Sequence, residues 1–308
     1  MDRLCDSYKL VRIVCACPDG KVSVPGAEDL IASHYKVTNK ALTKVTVKAF
    51  DNDELKNIQH CQNKLRVFFV TNSLPWDQQS YRLFPNVKFG DLDTIFNETQ
   101  IEMKRLELLF LDAYDREAPK RQLELGDLYG MIKFPKREHF RGRIRIDRSE
   151  IPVPSPGDDP RAGWSEEQKK EFQIHIESEQ KIATNLALIN VADRIIETVG
   201  HVYEKTTGYK GTKKGSFRDS MIENCRDLSE LISTLNINND PTIEKIRGQI
   251  KDRICKYTPD EIRKDKDKLS EVREASADIL ERMGEFASTR RSEIGVDAED
   301  EVIGMSVI

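Results

Sequence analysis

The sequence has few aromatic residues, no long apolar run and no excess of positive charge. Phe, Trp and Tyr make up 7% of its 308 residues while charged residues make up 33%, a balance that favours long solvated helices over a β-sandwich. No stretch of about 18 apolar residues occurs, so the sequence predicts no membrane-spanning helix and no membrane partner. The net charge of −4 gives no overall attraction to nucleic acid, and such binding would require a local basic patch.

The six cysteines lack the spacing of a disulfide framework or a zinc site. Cys15 and Cys17 form a C-x-C pattern, and no second pair lies nearby to complete four ligands. We interpret all six as reduced and structural, with a weak metal or redox role as the alternative. The first residues lack a basic segment leading into an apolar run, so no signal peptide is predicted and a cytoplasmic location is expected.

Recognisable catalytic motifs are also missing from the sequence. His175 and Glu177 match the H-x-E of zinc deaminases, but no P-C-x-x-C follows them. The segment 208–216 contains Gly, Lys and Ser without the spacing of a phosphate-binding P-loop. We therefore predict a protein that is not an enzyme and that has no cofactor.

Patterns typical of strands are confined to the first half of the chain. Helical spacing predicts one helix that begins at a capping box of Asp51 and Glu54, and a second over 91–116 that ends before Pro119. Residues 1–150 are therefore predicted to form an α+β part. Its strands are expected at 9–17, 21–24, 43–50 and 140–146.

The second half is predicted to be helical. Prolines exclude a helix from residues 151–163, which are expected to form an extended connection before a helical part at 164–287. Residues 288–308 are predicted to form a flexible acidic tail with an apolar tip. The fold class is thus α+β, predominantly α-helical, with a small N-terminal sheet. Helices are expected from the capping box at Ser165 to about Tyr203, over 217–235 and 241–255, and from the cap at Thr258 to Phe286.

The helix that begins at Ser165 is unusually long and has one apolar side. Such a helix is typical of hairpin arms or coiled-coil-like packing, so we expect this side to be buried within the chain or between subunits. A homo-oligomer is therefore predicted. The apolar line consists of Phe172, Ile176, Ile182, Leu186, Ile189, Ala192, Ile195, Ile196 and Val199.

A basic segment precedes the proline-rich connection. If it forms a strand, Arg141, Arg143 and Arg145 share one face, where they could contact successive phosphates. The aromatic rings of Phe134, His139 and Phe140 would then be available to stack on bases. The alternative is that the arginines pair with carboxylates of the acidic helices. The candidate residues of this segment are Lys136, Arg137, Arg141, Arg143 and Arg145.

A second basic feature is a glycine-rich loop at 208–215. Tyr209 with Lys210, Lys213 and Lys214 is typical of a hairpin tip that contacts nucleic acid, and also of any solvated loop between helices. The acidic tail with its apolar tip suggests a segment that recruits partners, with a frayed terminus as the alternative.

Four segments carry a resemblance to a known family: FRDSMIENCRDL at 217–228, LNINNDP at 235–241, Pro259 through Met283, and Arg143–Pro154 followed by Trp164. Through them the chain resembles a family of uncharacterised proteins carried by tailed phages and by bacteria as prophage genes. The resemblance covers residues 8–287 and leaves out the 208–215 loop and the tail. It implies no catalytic or binding residues, because none are assigned in that family. Since relatives are encoded near MoxR-type AAA+ ATPases, it implies such an ATPase as a partner.

Two functions are predicted from these features. The first is a non-enzymatic phage-type accessory protein that acts in the host cytoplasm as an oligomeric helical scaffold or adaptor for an AAA+ ATPase. The alternative is a protein that binds or anneals single-stranded DNA through the basic segment and the lysine-rich loop. A metal-dependent enzyme is the least supported reading.

Overall fold

The computed structural model describes residues 4–39, 44–50, 52–76, 81–154, 165–209 and 218–295. The fold is α+β and mainly helical, as predicted. Its strands are β1 (Tyr8–Ala16), β2 (Lys21–Ser23), β3 (Thr46–Lys48), β4 (Leu74–Pro75), β5 (Arg82–Pro85) and β6 (Arg145–Pro152). Its α-helices are α1 (Leu4–Ser7), α2 (Ala27–His34), α3 (Asp53–Thr71), α4 (Phe89–Leu125), α5 (Leu128–Met131), α6 (Glu166–Thr207), α7 (Ser220–Leu235), α8 (Pro241–Gln249), α9 (Pro259–Lys264) and α10 (Lys266–Ile294). A π-helical turn, Ile250–Ile254, follows α8.

Two small sheets are formed by the strands. The larger has the order β4-β5-β1-β6, and its strand β5 pairs antiparallel with both β1 and β4. Leu83 therefore lies opposite Leu10 on one side and Leu74 on the other, and all three side chains are buried. Strands β2 and β3 form a separate antiparallel pair.

The chain divides into two compact units. The first unit contains residues 1–12, 72–89 and 150–308, and the second unit contains 13–71 and 90–149. The predicted boundary near residue 150 thus coincides with a passage between units, but two earlier segments group with the C-terminal helices. Their grouping has a physical cause, because Leu10, Leu74 and Leu83 belong to the same apolar core as α6 and α10.

The core of the first unit is built from helices that pack along α6. Ile195 and Val199 of α6 and Ile279 and Met283 of α10 are each 0% exposed. Burying side chains of this size contributes about 1.5–3 kcal/mol each, so this row is a main source of the unit's stability. The hydroxyl of Tyr8, near the start of the chain, donates to the carbonyl of Thr234 at 3.1 Å.

The core of the second unit is an aromatic cluster beside α3 and α4. Phe110 of α4 lies 5.7 Å from the ring of Phe50 and 5.2 Å from that of Phe140, centroid to centroid. Tyr114 lies 4.9 Å from Phe140, so the rings form one connected group. Edge-to-face and tilted contacts at these distances stabilise beyond the area that they bury.

The starts of α6 and α9 follow the predicted caps. Ser165 and Gln168 form the capping box of α6, with Ser165 Oγ accepting from the Gln168 amide at 3.2 Å. Thr258 and Glu261 form that of α9. At α3 the cap is Asn52, whose Oδ1 accepts from the Leu55 amide at 3.0 Å. The Asp51 predicted for this role lies outside the described residues.

The predicted end of α4 before Pro119 is wrong, because α4 continues through this proline to Leu125. Pro119 cannot donate a hydrogen bond to the carbonyl of Asp115, which costs helical stability. Asp115 lies on the exposed side of the helix, where water can satisfy that carbonyl. Buried residues Phe110 and Tyr114 hold the preceding turns in place.

The helix predicted from Thr258 to Phe286 is two helices, α9 and α10. Asp265 separates them and caps α10, since its carboxylate accepts from the amides of Asp267 at 2.9 Å and Lys268 at 3.3 Å. α10 also extends to Ile294 and ends at Gly295, whose φ is 68°. Residues 288–294, predicted to belong to the tail, are therefore helical.

Candidate functional site

The basic segment begins with a turn rather than a strand. Strand β6 starts at Arg145, whereas Arg141 and Arg143 lie in a turn closed by a hydrogen bond from the Arg143 amide to the Phe140 carbonyl at 3.1 Å. Gly142 at its centre has φ 72°, a conformation that favours glycine. The predicted strand face shared by the three arginines is therefore wrong.

The aromatic residues of this segment are largely structural. Phe140 is 3% exposed and packs in the aromatic core, so the predicted stacking on bases is wrong for this residue. Phe134 packs between Tyr114 and Tyr129, with centroids 6.3 and 5.4 Å away. His139 is exposed, but its Nδ1 accepts from the Lys136 amide at 3.2 Å.

Several cations of the segment are paired with carboxylates. Arg137 forms an ion pair with Asp115 of α4, and Arg148 pairs with Asp93 of the same helix at 2.7 Å. These contacts agree with the alternative interpretation, in which the arginines pair with acidic helices. Arg145 pairs with Asp147, two residues along β6, at 2.9 Å. Both partners of this last pair are largely exposed, so it contributes little to stability.

Lys136, Arg141 and Arg143 are exposed, and they differ from their neighbours because they form no ion pair with the described residues. None of the three has a carboxylate at ion-pair distance in the part of the chain that the structure describes. We call Lys136, Arg141 and Arg143 the basic turn; Arg145 follows it in β6 and is paired with Asp147. The guanidinium groups of Arg141 and Arg143 have no carboxylate partner among the described residues, so they can bind an external anion, including a phosphate.

Most of the lysine-rich loop lies outside the described residues. Tyr209 is half-buried against the apolar core of the first unit and is therefore not a free stacking platform. Lys210, Lys213 and Lys214 lie outside the described residues, as does Trp164.

Helix α4 presents apolar side chains on its outer face. Ile101 is 71% exposed and Leu108 is 64% exposed, and their spacing of seven residues places both on one side of the helix. Leu109, 43% exposed, lies beside Leu108. We call Ile101, Leu108 and Leu109 the α4 face. The pair formed by Arg105 and Glu102 at 2.6 Å gives it a polar border.

The first part of α6 carries further exposed apolar residues. No residue from 166 to 182 is buried, whereas Ala183 and most apolar residues after it are. We call residues 166–182 the α6 arm; its Ile174 is 57% exposed and its Ile182 is 39% exposed. Ile189, Ala192, Ile195 and Val199 of the predicted apolar line are buried, but Phe172, Ile176, Ile182, Leu186 and Ile196 are not buried within the described chain.

A cavity of about 470 Å³ lies between α7 and the π-helical turn. Its lining combines Arg226, Arg247, Lys251 and Lys256 with the carboxylates Glu230 and Asp252, so basic side chains outnumber acidic ones by two. Some of these cations already have partners, because Arg247 pairs with Glu244 and Arg226 donates to the Cys255 carbonyl at 3.4 Å. The thiol of Cys255 also lines it, and burial raises the pKa of that thiol to about 11.

The most deeply buried thiols are poor nucleophiles. Burial raises the pKa of Cys17 to about 11 and that of Cys225 to about 12, so both thiols are protonated at neutral pH and poor nucleophiles. All six cysteines are free. Within the described ranges, no three His, Cys, Asp or Glu side chains come together as metal ligands.

The helices of the described residues include none that is both long and apolar enough to cross a bilayer. Comparison with known protein families, with curated proteins and with solved structures finds no match to this chain.

Proposed function

We propose that this protein is a non-enzymatic helical scaffold or adaptor that acts as a homo-oligomer. The observation that carries the proposal is the α4 face, where Ile101 and Leu108 project from a 37-residue helix. A helix of this length is about 55 Å long and offers a continuous surface for a second helix. A seven-residue spacing of apolar side chains is the repeat by which two helices pair along a seam.

The proposed partner at the α4 face is a second copy of this chain. In a two-fold arrangement Ile101 of one copy meets the region of Leu108 in the other, so one surface serves both subunits. The charged border of Glu102 and Arg105 would remain at the edge of such a contact, as is usual for interface rims. The phage origin and the AAA+ ATPase partner enter this proposal through the sequence resemblance alone. Co-purification of the tagged chain with a MoxR-type AAA+ ATPase tests that part.

Light scattering coupled to gel filtration tests the self-association. The wild-type chain, 35.4 kDa as a monomer, is expected to elute at a multiple of that mass as its concentration rises. The double variant Ile101→Asp, Leu108→Asp should weaken association at least about 100-fold, because each buried aliphatic side chain contributes about 1.5–3 kcal/mol.

The matched control is Val67→Asp, which adds a charge at a 64% exposed valine of α3, a different helix of the same unit. It should associate like the wild type. A wild-type protein that stays monomeric at the highest concentration reached would refute the scaffold proposal.

A second candidate function is binding of single-stranded nucleic acid by the basic turn. The observation that favours it is the exposure of Arg141 and Arg143 without carboxylate partners among the described residues. It is the weaker candidate, because the rings of Phe134 and Phe140 are engaged in packing and the turn presents few cations.

Binding of a labelled single-stranded DNA oligonucleotide at several salt concentrations tests this candidate. Arg141→Ala with Arg143→Ala should lower the slope of log affinity against log salt by about 1.4, since each lost phosphate contact accounts for about 0.7. Arg116→Ala, an exposed arginine of α4, is the control and should leave the slope nearly unchanged. Absence of wild-type binding at low salt would eliminate nucleic-acid binding by the basic turn.

A further inference from the structure

Helices α6 and α10 pack antiparallel along the first unit. Leu280 of α10 lies beside Gly200 of α6, and further along α10 Arg291 pairs with Asp193 at 3.0 Å. Asn185 then donates to Glu293 at 3.2 Å, at the last turn of α10. Moving toward the end of α10 therefore means moving toward the start of α6.

The side of α6 that meets the end of α10 continues into the α6 arm as an uncovered apolar face. Ile182, Ser178 and Ile174 precede Asn185 by three, seven and eleven residues, spacings that place all four on one side of a helix. Because α10 ends at Ile294, Ile182 and Ile174 receive no cover from it and are 39% and 57% exposed. We call Ile174, Ser178 and Ile182 the arm face.

The residues that follow α10 have the composition and the length to cover the arm face. The 13 residues 296–308 include five aliphatic or methionine side chains near their end, namely Val302, Ile303, Met305, Val307 and Ile308. Ile174 lies about 16 Å beyond Asn185 along α6. Thirteen residues span about 20 Å as a helix and about 43 Å when extended, so either form reaches it.

Charge is also arranged in the order that this contact requires. The acidic residues Asp297, Glu299 and Asp300 come first after Gly295, and Lys181 lies next to Ile182 on the arm. Lys181 is exposed and has no carboxylate partner within the described part of the chain. An acidic stretch followed by apolar residues would thus meet a lysine first and the isoleucines next.

We infer that residues 296–308 of the same chain bind the arm face and extend the cover that α10 gives to α6. The occupant is thus an intramolecular segment, and the α4 face remains free for the proposed second copy. The contact also stands independently of the scaffold function, because it concerns a different helix.

Hydrogen–deuterium exchange of the full chain, at a dilution where it is monomeric, tests the inference. Ile303→Asp with Val307→Asp should accelerate amide exchange at 170–182 about tenfold or more, because losing buried aliphatic contacts shifts local opening by that order. Ser306→Asp adds a charge to the same segment without removing an apolar side chain and should leave exchange at 170–182 unchanged. Unaltered exchange in α7 and α10 verifies that the variants are folded.

Two results would overturn the inference. Exchange at 170–182 that is equal in the wild type and the double variant means that the segment does not cover the arm face. Wild-type protection that increases with protein concentration means that a second copy covers it instead. Light scattering of the α4 variants decides the scaffold function separately, so the failure of one proposal is distinguishable from that of the other.

Discussion

Replacing Phe110 with alanine is expected to lower the free energy of unfolding of the second unit by about 3–5 kcal/mol, the usual cost of removing a buried aromatic ring. Phe110 is 0% exposed, and its ring contacts those of Phe50, Tyr114 and Phe140. These neighbours belong to different elements and cannot all move into the space, so a cavity remains. Phe140 also begins the turn that carries Arg141, so the loss of the Phe110 ring should make the conformation of the basic turn less ordered.

Urea unfolding followed by far-ultraviolet circular dichroism measures this loss. Leu123→Ala is the control, since Leu123 lies on the same helix at 83% exposure and should change stability by no more than about 0.5 kcal/mol. Trp76 packs against the core of the first unit, so in a Trp164→Phe background tryptophan fluorescence follows that unit. A loss below about 1 kcal/mol in Phe110→Ala would contradict the packing described for the second unit.

Ile195→Ala is expected to destabilise the first unit by about 2–5 kcal/mol. Ile195 is 0% exposed at the centre of α6 and belongs to the core that includes α7, α8 and α10. The matched comparison is Leu186→Ala, nine residues earlier on the same helix, where the side chain is only half-buried. It should cost less than half as much, because part of the removed surface already faces water.

The tryptophan fluorescence transition in urea is the appropriate measurement for this pair. Equal losses for the two variants would mean that α6 is buried equally at both positions, as the apolar line in the sequence suggested. A clear difference would agree with the structure, in which burial along α6 begins near Ala183.

Local chemistry made the helix starts predictable from sequence. A hydroxyl at Ser165 or Thr258 followed three residues later by Gln or Glu satisfies two backbone donors within one turn, and this requires no partner from elsewhere in the fold. Strand β1 was predictable because its run of β-forming residues ends at the turn signal of Pro18 and Gly20. Strand β3 was predictable because alternation of apolar and polar residues marks a half-buried strand.

Features that depend on distant contacts were not predictable. The alternation of Ile144 and Ile146 with arginines fits a strand. The residues before Arg145 nevertheless form a turn, because Gly142 is left-handed and Phe140 is buried in the aromatic core. The continuation of α4 through Pro119 depends on the packing of Phe110 and Tyr114. The sequence identified Arg141 and Arg143 as candidate site residues. It could not show that they lack the ion pairs that Arg137 and Arg148 form with residues of α4.

The α4 face was not predicted from the sequence, because only the apolar residues of this helix that were expected to be buried were considered. Ile101 and Leu108 fall outside the buried line of Phe96, Met103 and Phe110, and apolar residues off a buried line are common in helices. Their repeat of seven residues was the available signal. Similarly, Ile174 is an apolar residue on an otherwise polar side of the α6 arm. That this side continues the surface covered by α10 is evident only from the antiparallel packing of α6 and α10.

The division of the first unit into three stretches of chain affects the protein while it is being synthesised. All segments of the second unit have been made once residue 149 is added, so that unit can fold early. The side chains of Leu10, Leu74 and Leu83 can be buried only after α6 has been synthesised. Tyr8 can form its hydrogen bond only after Thr234 has been added. At about 5–20 residues per second, the interval between Leu83 and Ile195 lasts roughly 5–20 s. During that time the apolar side of β1 and β5 is without its cover, so the nascent chain is most prone to aggregate then, before the first unit can close.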